Sequence, residues 1–315
     1  MNIFVIGCGR WGTFLAWYLD SIGHSVSLYG RKDSKSYNTL KSSGSNGLVS
    51  IGKNIFLTDS LSTASQSDCI IISIPSQKLR SLINELKLII DDKKLIVLCM
   101  KGLEIESGMR LSQIASTYFN NVAVWLGPGH VQSFVKGQPG CMVIDSNDVN
   151  ISKKLILSFI SPKMRFYIGQ DIVGNEVGAA AKNVIGIAAG MLDGLGLNSL
   201  KGPLMSRGPA EIYRLIEAMG GKGRSAYGLC HLGDYEATLF SPYSHNRAFG
   251  ESFVKDNVFD KLAEGCYTVK AVFRLMKENN VELPICLSVY RALYENANVL
   301  KEIENLFQRG LKTEF

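Results

Sequence analysis

No two of the seven cysteines (Cys8, Cys69, Cys99, Cys141, Cys230, Cys266, Cys286) stand in a CxxC spacing, and their odd number is scattered along the chain. That pattern excludes a disulfide framework and reads as reduced thiols in a cytosolic compartment. No apolar run approaches the length of a transmembrane helix, so no membrane span is expected. Met1-Asn2 passes at once into a strand-like pattern, which leaves no signal peptide, and a cytoplasmic location is expected. Lys and Arg exceed Asp and Glu only by 34 to 28, a formal charge of +6. They form no basic stripe interleaved with aromatics, so nucleic acid is not expected as a partner. The four histidines match no standard zinc spacing, so no metal site is expected. There is also no internal repeat and no low-complexity linker. What remains is a chain of 315 residues, 46% hydrophobic and 20% charged, long enough for a large core in two domains.

The first half alternates. Ile3-Phe-Val-Ile6 is too short for a helix and ends in glycine, which predicts a buried parallel strand. Gly7-Cys-Gly9-Arg10-Trp11-Gly12 follows, and then Trp11, Leu15, Tyr18, Leu19 and Ile22 share one helical face up to Gly23. A GxGxxG between a first strand and a helix is the fingerprint of a dinucleotide cradle. Gly7 serves the tight turn, Gly9 the approach to a pyrophosphate and Gly12 the packing of helix on strand. The amides at the helix start face the phosphates. The second strand, Ser25 to Tyr29, ends in Gly30-Arg31-Lys32 and not in a carboxylate. Two cations at that tip suit a 2′-phosphate and favour NADPH over NADH. In the alternative, Arg31 stacks on the adenine and both cofactors bind.

A further buried strand is predicted at Asp68 to Pro75, and other strands at Leu95 to Cys99, Val122 to Leu126, Cys141 to Ile144 and Arg165 to Ile168. The fold class is α/β, with an N-terminal Rossmann, doubly wound parallel sheet over residues 1–170 and an all-α domain over 171–315. Ligands of such sheets lie outside the carboxyl ends of the strands. Lys101 and the loop at Gly127 leave strands there.

In the second half helical periodicity takes over, as in Val269-Val272-Phe273-Met276 and in Val289-Leu293 after Pro284. Helical steps from Lys182 reach Gly178, Gly186 and Ala189, a face almost without side-chain bulk. A lysine there is costly to bury unless it has a partner or a task, and proton donation is such a task. The other reading is a lysine that snorkels to solvent. Gly228 to Asp234 reads as a loop presenting an acid, and Asp234 either orients Lys182 or caps a helix. Ser241-Pro-Tyr-Ser244-His245-Asn246-Arg247 is either a phosphate-binding turn or an ordinary surface loop.

These pieces, in this order, resemble the NAD(P)-dependent glycerol-3-phosphate dehydrogenase family. The resemblance runs through essentially the whole chain. It is carried by Val5-Ile-Gly-Cys-Gly-Arg-Trp-Gly-Thr13, Tyr29-Gly-Arg31, Ile74-Pro-Ser-Gln77, Lys101-Gly-Leu-Glu104, Gly127-Pro128 and Glu176-Val-Gly-Ala-Ala-Ala-Lys-Asn-Val184. Ala189 to Gly196, Ser206-Arg-Gly208, Leu232-Gly-Asp234, Asn246-Arg-Ala-Phe-Gly250 and Ala263-Glu-Gly265 continue it. It implies hydride transfer from NADPH or NADH to a small phosphorylated ketone, dihydroxyacetone phosphate, yielding glycerol 3-phosphate for phospholipid synthesis. Lys182 is then the proton donor and Asp234 its support. The substrate lies against Lys101, Gly127, Gly129, Ser244, His245, Asn246 and Arg247. The cofactor lies against Gly7, Gly9, Arg10, Trp11, Gly12, Arg31, Lys101, Val131, His245 and Glu264. A homodimer is implied as well.

Three positions depart from the family pattern. His245 stands where the family has an arginine gripping phosphate, and a histidine does not replace a bidentate guanidinium. Gly127-Pro-Gly129-His130 replaces a small-polar-then-aromatic sequence, and His231 stands where a small residue is usual. Two other readings stay open. One is a paralogue acting on a different small ketone or β-hydroxyacid; the other is a non-catalytic NADPH-binding regulator.

Overall fold

The computed structural model describes residues 1–311, 313 and 314. Two compact units form, one from Met1–Lys101 with Met109–Glu176 and the other from Gly102–Gly108 with Val177–Phe315.

The first unit is built on β1 (Asn2–Ile6), α1 (Arg10–Ser21), β2 (Ser25–Tyr29), α2 (Lys35–Ser43), β3 (Phe56–Thr58), β4 (Cys69–Ile72), α3 (Leu79–Leu86) and β5 (Leu95–Leu98). It continues with α4 (Leu111–Ala115), β6 (Asn121–Leu126), α5 (Val131–Val135), β7 (Gly140–Ser146), α6 (Val149–Phe159) and β8 (Met164–Ile168). The strands form one eight-stranded sheet in the order β3-β2-β1-β4-β5-β6-β7-β8. The central strands carry unbroken apolar runs because both faces are covered, and every residue of β4 and β5 is buried. One pairing departs from the all-parallel expectation: β7 runs antiparallel to β6, with Trp125 opposite Ile144. A parallel return usually needs a full crossover helix, whereas residues 127–139 hold only the five-residue α5. The short β3 and the α2 before it went unpredicted, since three residues bounded by polar segments carry almost no periodic signal.

The strand order reverses at β1, with β2 on one side and β4 on the other. That reversal is the switch point where open α/β sheets bind ligands. Behind it the core is aromatic. Trp125 stacks on Phe159 at 5.4 Å between centroids, and Phe14 stacks on Phe134 at 5.2 Å. Cys8, Cys69 and Cys99 are free thiols buried in this core. Burial pushes the Cys69 thiol up to about 12, so it is chemically inert.

The second unit is helical: α7 (Ile172–Gly194), whose residues from Val177 belong to it, then α8 (Lys201–Ala218), α9 (His245–Val254), α10 (Glu264–Glu278), α11 (Pro284–Tyr294) and α12 (Val299–Phe307). Residues 102–108 join it from the middle of the sheet sequence; Arg274 donates to the Glu106 carbonyl, and the Gly108 backbone lies against Leu275. α7 is the axis of this unit, with Val177, Ala181, Val184, Ile185 and Ile187 all buried. Its glycines let α9 approach at backbone distance: a Cβ on Gly190 would lie 1.9 Å from the Arg247 carbonyl oxygen. Among the described residues no helix is long and apolar enough to cross a membrane.

Candidate active site

The glycine loop follows β1 directly. Gly7 has φ +112°, a region L side chains rarely adopt, and a Cβ there would lie 2.1 Å from the Ser73 carbonyl oxygen. A Cβ on Gly12 would lie 1.8 Å from the Gly7 carbonyl oxygen, so this glycine is what lets helix and loop touch. Gly9 differs, because a Cβ there would meet no protein atom within 4 Å. Protein packing therefore does not require a glycine at position 9, whereas close approach of a pyrophosphate does. Gly9 also caps α1 without a side-chain bond, and no acidic residue sits in the first turn, so the positive end of the helix is not neutralised. These observations fit a dinucleotide.

The other residues predicted in this unit fall along the same strand ends. Arg10 is exposed, and Trp11 is partly buried against Phe14 and Phe134 at 5.2 and 6.2 Å. Arg31 lies just beyond β2, 70% exposed, with only a loose 3.7 Å contact to Asp33. An exposed pair of this kind contributes little, so the guanidinium remains available to a ligand. Lys101 leaves β5 and donates from Nζ to the Gly127 carbonyl at 2.7 Å, tying two predicted residues together. Gly127 and Gly129 both have strongly positive φ, +134° and +141°, and a Cβ on Gly129 would strike the Phe134 ring. Val131 is buried at the start of α5.

The helical unit holds a second cluster. Lys182 is buried in α7, and its Nζ lies 3.0 Å from Oδ2 of Asp234, itself 2% exposed. The snorkelling reading is thereby replaced by a desolvated ion pair. Lys182 also donates to Oγ1 of Thr238 at 2.7 Å, and that hydroxyl donates to the Asp234 carbonyl at 2.7 Å. Thr238 was missed in the sequence. Its signal is there, four residues after the acid, but the turn that presents it is π-helical, Glu236–Phe240, a local form often found at functional sites. The small face of α7 is what admits these groups. A Cβ on Gly186 would lie 2.7 Å from Thr238 Cγ2 and 3.3 Å from Asn246 Cβ. Lys182, Asp234, Thr238 and Asn246 are thus gathered around two turns of one helix.

The residues around Asn246 divide by role. The Asn246 amide oxygen accepts from the Gly265 amide at 2.9 Å, next to the half-buried Glu264 at the start of α10. Ser244 caps α9, accepting from the Arg247 amide. The Nδ1–H of His245 donates to the Leu262 carbonyl at 3.1 Å, since a carbonyl can only accept. Arg247 turns the other way: its Nη1 lies 2.6 Å from Asp193 and 3.2 Å from Glu251, and Nε donates to Ser241. Lys201 completes that cluster, 2.5 Å from Asp193.

His231 is fully buried, with Nδ1–H donating to the Gly178 carbonyl and Nε2 accepting from the Tyr235 hydroxyl, each at 2.8 Å. Burial, with the Lys182 charge adding to it, pushes its pKa down to about 4. No three histidine, cysteine, aspartate or glutamate side chains among the described residues form a group able to hold a metal.

A glycine cradle at the switch point of one unit and a buried lysine–aspartate pair in the other fit a dinucleotide-dependent oxidoreductase. Comparison with known proteins gives the family. Residues 2–152 match the family model of the NAD-dependent glycerol-3-phosphate dehydrogenase N-terminus, and residues 171–304 match that of its C-terminus. Glycerol-3-phosphate dehydrogenase [NAD(P)+] of Thermoanaerobacter sp. (strain X514) is 33% identical, over 100% of this chain and 99% of its own length. That of Clostridium botulinum (strain Eklund 17B / Type B) is 35% identical over 98% of each. The crystal structure of glycerol-3-phosphate dehydrogenase from Coxiella burnetii superposes with a TM-score of 0.91 at 28% identity, over 98% of this chain and 99% of that one. The chain belongs to the NAD-dependent glycerol-3-phosphate dehydrogenase family.

Proposed function

We propose that the protein reduces dihydroxyacetone phosphate to sn-glycerol 3-phosphate with NADPH or NADH, reversibly. The observation that carries this reading is the buried Lys182–Asp234 pair, 3.0 Å apart, in which Lys182 stands on the helix that bears the Glu176-to-Val184 motif and Asp234 comes from the turn Leu232–Asp234. The nicotinamide cofactor supplies the hydride when bound. Lys182 gives a proton to the ketone oxygen as it becomes a hydroxyl; Asp234 keeps the ammonium charged and Thr238 orients it. Gly7, Gly9, Arg10, Trp11, Gly12, Arg31, Lys101, Val131, His245 and Glu264 are assigned to the cofactor. Lys101, Gly127, Gly129, His245 and Asn246 are assigned to the substrate. Ser244 and Arg247 act there by shaping the start of α9, because their polar groups face the helix and a carboxylate cluster. A cytoplasmic homodimer supplying phospholipid synthesis completes the reading.

The test is the loss of NADPH absorbance with dihydroxyacetone phosphate, repeated with NADH. Turnover with either supports the proposal. Absence of turnover with a cofactor that still binds overturns the substrate assignment.

Arg31→Ala is expected to weaken NADPH binding roughly 10-fold and NADH binding much less, since one charge-assisted contact is lost only with the 2′-phosphate. Titration of both nucleotides by calorimetry checks it, and equal losses would remove the 2′-phosphate argument.

A second reading, a different small ketone as substrate, is favoured by His245 together with the Asp193 and Glu251 partners of Arg247. His245→Arg separates the two. If the substrate carries a phosphate, the variant lowers KM for dihydroxyacetone phosphate roughly 10-fold, as a charged hydrogen bond predicts. An unchanged or raised KM favours the other ketone.

A further inference from the structure

We propose that His231 is a positioning residue for proton donation, its ring tying the turn that carries Asp234 to the turn of α7 that precedes Lys182. The inference rests on reading Lys182 as the proton donor.

The Gly178 carbonyl stands four residues before Lys182, so in an α-helix it already accepts the Lys182 amide. The Nδ1–H of His231 brings a second donor to the same oxygen at 2.8 Å. The His231 carbonyl in turn accepts from the Asp234 amide at 3.0 Å. One residue thus holds the lysine's helical turn with its ring and the aspartate with its backbone. Tyr235, next after the acid, donates its hydroxyl to Nε2 at 2.8 Å, so the acid is held by the His231 backbone and its neighbour by the ring.

The space for this arrangement is built in. A Cβ on Gly178 would come within 3.0 Å of His231 Cβ, and a Cβ on Gly208 of α8 would come within 2.6 Å of the Tyr235 hydroxyl. Two helices therefore carry glycine where the imidazole and the phenol enter. His231 is 0% and Tyr235 1% exposed, so neither polar group has water to fall back on. The tautomer follows from the partners. A carbonyl only accepts, so Nδ1 holds the hydrogen and Nε2 accepts from the tyrosine. The charged groups that act on the ring are Lys182 and Asp234. Burial and Lys182 both oppose a second cation, and the strut persists through neutral pH.

Three variants test the proposal, compared with the wild-type chain in kcat, KM, cofactor affinity, melting temperature and the pH profile of kcat. His231→Leu fills the space without bonds and is expected to lower kcat between about 10- and 100-fold, the scale of a small misplacement of a catalytic group. KM and cofactor affinity should stay within about 2-fold, and the basic limb of the kcat profile should move. His231→Asn keeps an N–H close to the Nδ1 position and should recover most of kcat. Tyr235→Phe should fall between. A His231→Leu protein with unchanged kcat and unchanged pH profile overturns the proposal. So does equal loss in the Leu and Asn variants that follows their melting temperatures, since that is packing alone. Should the Leu variant not fold, the Asn and Phe variants decide by the same readouts.

A second measurement is independent of turnover. In histidine-labelled protein the nitrogen resonances that vanish in His231→Asn should report an Nδ1–H, untitrated ring from about pH 5 to 8. An Nε2–H tautomer, or titration in that range, would sink the idea even if catalysis is intact. A wild-type enzyme that turns over no ketone, with the Nδ1–H tautomer present, would instead count against the reading of Lys182.

Discussion

Replacing Lys182 by alanine is expected to lower kcat by about 10²- to 10⁴-fold, the contribution of a positioned general acid. Cofactor affinity should change by less than about 2-fold, because the glycine loop that fits the dinucleotide belongs to the other unit. The prediction is sharp because Lys182 is held from two sides. Asp234 lies at 3.0 Å and the Thr238 hydroxyl at 2.7 Å, so the ammonium has little freedom and needs little reorganisation when the proton leaves. Alanine also strands Asp234 as a buried acid without its cation. Stopped-flow turnover at saturating substrate, corrected for the folded fraction, separates lost chemistry from lost protein. A variant that retains more than about a tenth of wild-type kcat would contradict the assignment, and one that loses cofactor affinity would mean the lysine serves binding.

Replacing Asp234 by alanine should cost about 3–5 kcal/mol of stability as well as most of the activity. Breaking one side of a buried pair leaves an uncompensated charge, and the penalty is much larger than the net value of the intact pair. Both partners are almost wholly desolvated, the lysine side chain at 7% and the aspartate at 2% exposure. Asp234→Asn should cost less stability, because the amide still offers an oxygen to Lys182. It should nonetheless move the basic limb of the kcat profile to lower pH, since the anion that favours the ammonium is gone. Urea denaturation and a pH series of kcat read the two effects separately. An alanine variant as stable as wild type would mean that the pair is solvated in solution.

How much of this was legible in the residues varies from place to place. The β1–GxGxxG–α1 unit was, because strand period, glycine spacing and helix period are all local, and only one common arrangement satisfies them together. The antiparallel β7 was not. A buried strand has the same apolar pattern in either direction, and only the short connection through α5 turns it round. Lys182 could be singled out from the small residues a helical turn away, yet its burial could not be known. Thr238 shows the intermediate case, visible as four residues from Asp234 but without meaning until the π-helical turn aims it at the lysine.

Arg247 makes the limit plain. In sequence it lies two residues after His245, in the turn that the resemblance assigns to the substrate. In the fold it faces Asp193, 54 residues away, and Glu251 one turn on. The sequence by itself determined the two kinds of architecture and the nucleotide cradle, since each rests on spacings of a few residues, and it singled out the lysine and the acid without deciding between their readings. Only the tertiary structure decided which charges pair. Pairing depends on which surfaces α7 and α9 bring to backbone contact at Gly190, and on how completely Asp234, Thr238 and His231 are removed from water against the glycines of α7. Those are properties of packing between distant segments, and no local pattern records them.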